Sequence, residues 1–216
     1  MIEKYNYEGD HNIGFSATVT PEYAIFPPQF KRKDFFSVQK TCVTFINRTR
    51  LPGLYTVGNS SCILVPAEIT EHERSKLEES EIEFEEIESN NNALGNLILA
   101  NDSGAIISPK IEHKAEKIEK ALDVNVEVGR IADLPNPGST AVANNKGGLV
   151  HREASEEEAK RVKETLELED IDLGTVNLGS PYMGSGIICN DDDALVGENT
   201  SGPEIGRVDR VLKTRN

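Results

Sequence analysis

Thiol and imidazole are the side chains best suited to covalent chemistry near neutral pH, and this chain holds three cysteines and four histidines. Cys189 with His151 is the pair whose types would suit nucleophilic attack, with the imidazole taking the thiol proton. The local sequence argues against that use. Cys189 closes the apolar run Ile187-Ile188-Cys189, and apolar surroundings raise a thiol pKa instead of generating thiolate. A core-packing cysteine is the reading these neighbours favour. Cys42, Cys62 and Cys189 are an odd number, far apart and without CxxC spacing, so they imply neither a disulfide framework nor a zinc site. His11, His72 and His113 share no spacing with each other or with carboxylates that would hold a metal, and each sits among polar residues. We read them as surface, and expect no cofactor and no metal.

The bulk properties bound the function further. A formal charge of −14 argues against wholesale binding to a nucleic-acid backbone, which needs a concentrated Lys/Arg surface. The one basic cluster is Lys31-Arg32-Lys33, followed at a distance by Arg48 and Arg50, and it is a solvated loop or a local phosphate contact. The acidic run 81–88 alternates Ile82 and Phe84 with glutamates, as an amphipathic strand with a solvated face would. With 37% hydrophobic residues there is material for a sizeable core. No apolar run approaches the roughly 20 residues of a membrane span, and Met1-Ile2-Glu3-Lys4-Tyr5 lacks the parts of a signal peptide. A soluble protein of a reducing cytoplasm is expected.

The elements that would position any site come from an internal repeat. With Thr20, Asn59, Asn101, Asn144 and Asn190 as anchors, 39, 42, 43 and 46 residues apart, the surroundings match column by column. Six residues before each anchor stands Gly14, Gly53, Gly95, Gly138 or Gly184, and five residues after it Ile25, Leu64, Ile106, Leu149 or Leu195. Between glycine and anchor runs a short apolar strand, such as Leu54-Tyr55-Thr56-Val57. A polar tip such as Asn101-Asp102-Ser103-Gly104 then turns the chain into a second strand, its residues tolerating positive φ. Thr70 with Glu73 and Ser155 with Glu158 fit capping boxes that open outer helices, and Ala159, Val162 and Leu166, like Ala115, Ile118 and Leu122, form apolar helical stripes. A third strand is expected to begin near Val43, Ile82, Val124 and Ile171. The repeats run approximately over 1–50, 51–92, 93–134, 135–180 and 181–216, as a single domain.

One such unit cannot bury its apolar face alone, so five are expected to share a core in a closed ring that leaves no free sheet edges. A glycine in every copy fits a place where backbones crowd and a Cβ would clash. The end units are atypical. The first has Pro27-Pro28 and no clear helix, the last has Gly202-Pro203 where a helix should start, and the alternating stretch Ile2 to Tyr7 is expected to add a strand closing the ring beside the last unit.

The segment Ala93-Leu94-Gly95-Asn96 leading to Asn101-Asp102, the segment Asn144-Asn145-Lys146-Gly147-Gly148-Leu149-Val150-His151, and Gly174-Thr175-Val176-Asn177-Leu178-Gly179-Ser180 resemble the signatures of the translation initiation factor 6 family. The resemblance covers essentially the whole chain. It implies the pentein fold, an α+β five-bladed ring of pseudo-five-fold symmetry with helices outside. It also implies binding to the intersubunit face of the large (50S) ribosomal subunit, chiefly to a ribosomal protein near the sarcin-ricin loop with local rRNA contact, so that the small subunit is excluded by volume. A role in large-subunit maturation belongs to the same resemblance. No catalytic residue, small-molecule substrate or membrane is involved, and a monomer is expected. The short form, ending at Asn216 without the C-terminal extension of eukaryotic members, is similar to the archaeal proteins. We place the ribosome-binding face at the glycine end of the inner strands, where Phe15, Leu54, Asn96, Ser139 and Ser185 occupy equivalent columns. The glycines themselves read as structural. The competing reading within the same fold is a guanidine-modifying enzyme of deiminase or amidinotransferase type using Cys189 and His151, but the glycine-rich sequence expected around that nucleophile is missing. The acidic run 81–88 would, in a ribosome-bound protein, face a basic ribosomal protein.

Overall fold

The computed structural model of this protein describes residues 1–214. The chain opens with strand β1 (Ile2–Tyr5). The first repeat then has a 3-10 turn (Ile13–Phe15), β2 (Thr18–Val19), β3 (Tyr23–Phe26) and β4 (Lys40–Val43). The second has the single helical turn α1 (Pro52–Tyr55), β5 (Val57–Gly58), β6 (Ile63–Pro66), helix α2 (Glu71–Glu79) and β7 (Phe84–Ile87). In the third come the turn α3 (Leu94–Leu97), β8 (Ile98–Ala100), β9 (Gly104–Ile107), helix α4 (Ala115–Leu122) and β10 (Asn125–Val128). The fourth repeats this with α5 (Pro137–Thr140), β11 (Ala141–Ala143), β12 (Gly147–His151), α6 (Glu156–Thr165) and β13 (Asp170–Gly174). The last has α7 (Met183–Gly186), β14 (Ile187–Cys189), β15 (Ala194–Gly197) and α8 (Gly202–Leu212).

In every sheet the first two strands form an antiparallel hairpin, and the third lies parallel to the second. The fifth sheet takes its third strand from the other end of the chain. β1 pairs in parallel with β15, Ile2 opposite Ala194 through Tyr5 opposite Gly197. The alternation in Ile2 to Tyr7 therefore does mark the closing strand.

The expected common core is instead five separate clusters, one at each junction between neighbouring sheets. Ile25 and Cys42 meet Ile63 and Leu77, Leu64 and Ile87 meet Ile107 and Ile118, Leu99 and Ile106 meet Val150 and Val162, and Leu149 and Val176 meet Val196 and Val208. The long helix of each repeat fills the junction with the preceding one. A single core would need side chains reaching across the ring axis, whereas two strand faces and one helix stripe close each junction locally. The first repeat has only a 3-10 turn (Lys33–Phe35) where its helix would stand. Its junction with the fifth repeat is filled by aromatic rings, Phe26 stacked on Phe30 at 4.8 Å and Tyr5 tilted against Phe30 at 4.9 Å.

Other expectations need correcting. The residues straight after each glycine do not begin a strand. They complete a short helical turn, and the strand that follows is two or three residues long. The tips are hairpins without positive φ. Asn101 Oδ1 accepts from Ser103 N and Gly104 N, both at 3.0 Å, so the side chain shapes the turn. Positive φ falls instead just past the long helices, at Glu81, Asp123, Glu167 and Lys213, and in turns after the third strands, at Glu8-Gly9, Asn47-Arg48, Ala132-Asp133 and Asn177-Leu178-Gly179. β4 begins at Lys40, three residues before Val43, and the other third strands begin within two residues of their expected starts. Gly202-Pro203 does not disrupt the last helix. Proline in the first turn has no hydrogen bond to lose, and Ser201 with Glu204 forms a capping box matching those of Thr70/Glu73 and Ser155/Glu158.

Candidate docking face of the ring

The five repeat glycines touch one another in a closed cycle. A Cβ on Gly53 would lie 2.1 Å from Gly14 O, on Gly95 1.9 Å from Gly53 O, on Gly138 2.1 Å from Gly95 O, on Gly184 1.9 Å from Gly138 O, and on Gly14 1.9 Å from Gly184 O. Nothing larger than hydrogen fits, so these glycines set the ring's inner circumference at this end.

The residues following them divide into two groups. Phe15, Leu54 and Asn96 are half-buried, and the Asn96 backbone N–H donates to Ala93 O at 3.0 Å within its helical turn. Asn96 borders an open groove of about 480 Å³ lined also by Asn90, Asn91, Asn92, Lys110 and Asn136. Ser139 and Ser185 are buried, and their hydroxyls donate to Asn136 O at 3.2 Å and Tyr182 O at 2.8 Å, closing their own helical turns.

Five of the six exposed large hydrophobic residues among the described residues lie at the same end. Val43, Phe45, Val128, Leu178 and Tyr182 are exposed, and all lie at or beyond the C-terminal ends of third strands, which run toward the glycines. Of the large hydrophobics exposed among the described residues, only Met1 lies at the opposite end, before β1. Sequence reasoning missed this set, because its members fall at strand ends and in turns where no periodicity marks a face.

The turns at this end are held by the capping-box glutamates in a second role. Glu73 accepts from Arg48 N at 2.7 Å as well as from its own cap residue, Glu158 from Asp133 N at 3.1 Å, and Glu204 from Gly179 N at 2.9 Å and from the Thr175 hydroxyl at 2.8 Å. Burial of the Glu204 carboxyl opposes its charge, but the donors from Ser201, Thr175 and Gly179 outweigh this and hold its pKa at about 2. Glu158 is lowered by the same balance of partial burial against hydrogen bonds.

The opposite end is sealed by side chains bonded from tip to tip. Asn59 Nδ2 donates to Asn101 O and Leu122 O, Asn101 Nδ2 to Asn144 O and Leu166 O, and Asn144 Nδ2 to Asn190 O and Leu212 O. The next residues form an outer chain, Ser60 to Asp102, Asp102 with Asn145, and Asn145 with Asp191. In the first repeat Thr20-Pro21 replaces this pair, with the Thr20 hydroxyl accepting from Tyr23 N at 2.9 Å. Between the ends lies a cavity of only about 120 Å³, walled by glycines, by Thr18 and Thr56, and by aliphatic side chains of the inner strands.

The structure keeps Cys189 and His151 apart. Cys189 stands at the tip end beside Ala143, while Ala143 pairs with Gly148, three residues or about 10 Å along β12 from His151. Burial pushes the Cys189 thiol up to about 12. His151 is buried, its pKa lowered by burial, and its Nδ1 accepts from Glu153 N at 3.1 Å. No group of three or more His, Cys, Asp or Glu is placed to hold a metal ion among the described residues. The charged segments are partly neutralised in place. Arg32 pairs with Glu3 at 3.1 Å and Arg50 with Glu8 at 3.0 Å, while Lys117 meets Glu85 at 2.7 Å and Arg74 meets Glu86.

A ring of five three-stranded sheets with helices in its junctions, closed by its own first strand, is a pentein-like fold. Within that fold the chain belongs to the eIF-6 family, whose model matches residues 2–211. It is similar to proteins named translation initiation factor 6 from three archaea. Identity is 37% to that of Thermococcus onnurineus and 38% to that of Methanocaldococcus jannaschii, each over 98% of this chain and 97% of the relative. To that of Sulfolobus acidocaldarius it is 34%, over 98% of this chain and 99% of the relative.

Proposed function

We propose that this protein is a translation initiation factor that works by occupancy. It docks its glycine end on the intersubunit face of the large ribosomal subunit, chiefly on a ribosomal protein near the sarcin-ricin loop, and excludes the small subunit by volume. The observation that carries this reading is the unequal exposure of the two ends. Val43, Phe45, Val128, Leu178 and Tyr182 stud the glycine end, whereas the tip end presents a bonded ladder bearing Asp102 and Asp191. Exposed apolar bulk gathered on one side marks a protein interface, and carboxylates repel a phosphate backbone.

A stable interface needs roughly 800 Å² from each partner, a small share of the 9312 Å² accessible here. A rigid ring supplies such a patch without ordering loops on binding. Phe15, Leu54 and Asn96 lie within the face, and Ser139 and Ser185 support it from beneath. The acidic run 81–88 would face a basic ribosomal protein, so high salt is expected to weaken binding. Nothing in this action needs a catalytic residue, and the separation of Cys189 from His151 speaks against the deiminase-type alternative. One monomer per subunit, acting in the cytoplasm, suffices, and a protein so placed could also act during large-subunit maturation. No helix among the described residues is long and apolar enough to cross a membrane.

Sedimentation with purified subunits tests the reading. Comigration with the large subunit alone, and fewer joined ribosomes in its presence, is expected. Equal binding to both subunits, or to neither, refutes the proposal. Unchanged binding by the double variant Asn96→Ala, Leu54→Asp would refute the choice of face.

A further inference from the structure

One residue of the glycine end combines two unfavourable conditions. Leu178 has φ of +62° and is 74% exposed, more than any other large hydrophobic side chain among the described residues. A bulky side chain in left-handed backbone is uncommon because its Cβ crowds the following carbonyl. The corresponding turns place Gly9, Arg48 and Asp133 at this position. Leucine there gains nothing within the molecule from its apolar side chain.

The turn is nevertheless fixed from several sides. Val176 and Ser180 exchange backbone hydrogen bonds of 2.8 and 2.7 Å across it. Glu204 accepts from Leu178 N at 3.3 Å and Gly179 N at 2.9 Å. The Asn177 amide donates to His11 O at 2.9 Å, and its oxygen accepts from the Thr200 hydroxyl at 3.3 Å. A loose loop would relax the strain and fold the leucine inward, but the turn's own bridge and bonds to two other segments, at His11 and at 200–204, prevent both. Four residues on, Tyr182 adds a second exposed apolar group, its ring set edge-on against buried His151 at 5.8 Å.

From this combination we infer that Leu178 is an anchor, a preorganised knob that enters an apolar pocket on a protein of the large subunit. Local strain held in place by surrounding structure is characteristic of functional sites, and a side chain already fixed in its bound position loses little entropy on docking. A leucine offers neither charge to a phosphate nor a hydrogen bond to a base edge, so the fitting partner is protein, not rRNA. The inference rests on the docking reading above and adds to it the residue and the chemistry of its counterpart.

The test separates stability from binding. Asparagine accepts left-handed backbone far better than leucine, so Leu178→Asn is expected to melt no lower than the wild type, and Leu178→Met to retain the knob. Binding to purified large subunits is then compared by cosedimentation at fixed salt. Leu178→Asn should bind about tenfold or more weakly, as loss of a central anchor does, and Leu178→Met should stay within about twofold of wild type. Wild-type binding with equal binding by Leu178→Asn overturns the inference alone. Undiminished binding by Leu178→Arg also overturns it, since that would place an acidic or phosphate-bearing surface opposite the turn. Absence of wild-type binding overturns the docking reading itself.

Discussion

Replacing Gly95 by alanine adds one methyl group at the most crowded circle of the ring. Its carbon would lie 1.9 Å from the carbonyl oxygen of Gly53, and contacts below 3.0 Å are essentially never made by real Cβ atoms, so the two backbones must separate by more than 1 Å. The oxygen belongs to the backbone and a Cβ is fixed by its own backbone, so no rotamer change relieves the clash. Ordinary overpacking of a core destabilises by about 1–3 kcal/mol. Here the closed cycle passes any opening at one junction to the other four, so we expect about 3–5 kcal/mol, at the top of the usual range for single substitutions. Helix propensity acts the other way, since Gly95 lies in the turn Leu94–Leu97, but its gain of about 1 kcal/mol is outweighed. Gly206→Ala is the control. Gly206 lies within α8 with nothing within 4 Å of the added carbon, so the same change should stabilise by about 0.5–1 kcal/mol. Urea unfolding of both variants, with thermal melts in which each kcal/mol moves Tm by about 2–4 °C for a chain of this size, reads the contrast. If Gly95→Ala lies within about 1 kcal/mol of wild type, the glycine cycle is not what sets the ring.

Asn144→Ala removes two donors, to Asn190 O and Leu212 O, and two acceptors, used by Lys146 N and Gly147 N. With the partners left buried, a loss of about 3–5 kcal/mol is expected by urea unfolding, and Asn144→Asp, which sets a carboxylate against two carbonyls, should rescue little of it. Glu204 has a folded pKa of about 2 against an ordinary 4.5, so it stabilises the fold above the unfolded carboxylate's pKa, and that contribution is lost as pH falls from about 4.5 toward 2. The full difference would be worth ~3.4 kcal/mol, and solvent at this partly exposed group reduces it to about 1–2 kcal/mol. Glu204→Gln should therefore be less stable than wild type at pH 7 and converge with it near pH 2, and a constant gap across that range would contradict the assignment.

What could be read from the sequence depended on whether a residue's partner was near in the chain. The capping boxes at Thr70 and Ser155 were legible because both halves lie within four residues. The second role of the same glutamates was not, since Glu73 reaches Arg48 and Glu158 reaches Asp133, each 25 residues upstream. Glycine spacing disclosed the ring, yet not that each glycine sits in a helical turn, because four residues cannot show a period of 3.6. Of the proposed face, Asn96 and Leu54 were found through column position and family resemblance. The same column also pointed to Ser139 and Ser185, whose hydroxyls the structure turns back onto their own backbone. Leu178 entered only as one letter of the family-like segment 174–180, since nothing in a leucine's chemistry announces left-handed backbone.

The pairing of β1 with β15 joins residues about 190 positions apart. At translation rates of 5–20 residues per second, Ile2–Tyr5 leave the exit tunnel roughly 10–40 s before their partner strand leaves it. For that interval four sheets can form one after another, but the circle stays a spiral with two sticky ends, the lone N-terminal strand and the exposed flank of the newest sheet. Closure is then a clasp fastened last. A second nascent chain nearby would offer the same clasp, so two copies emerging together could fasten to each other, and spacing between ribosomes on one message becomes a factor in whether single rings or linked pairs are produced.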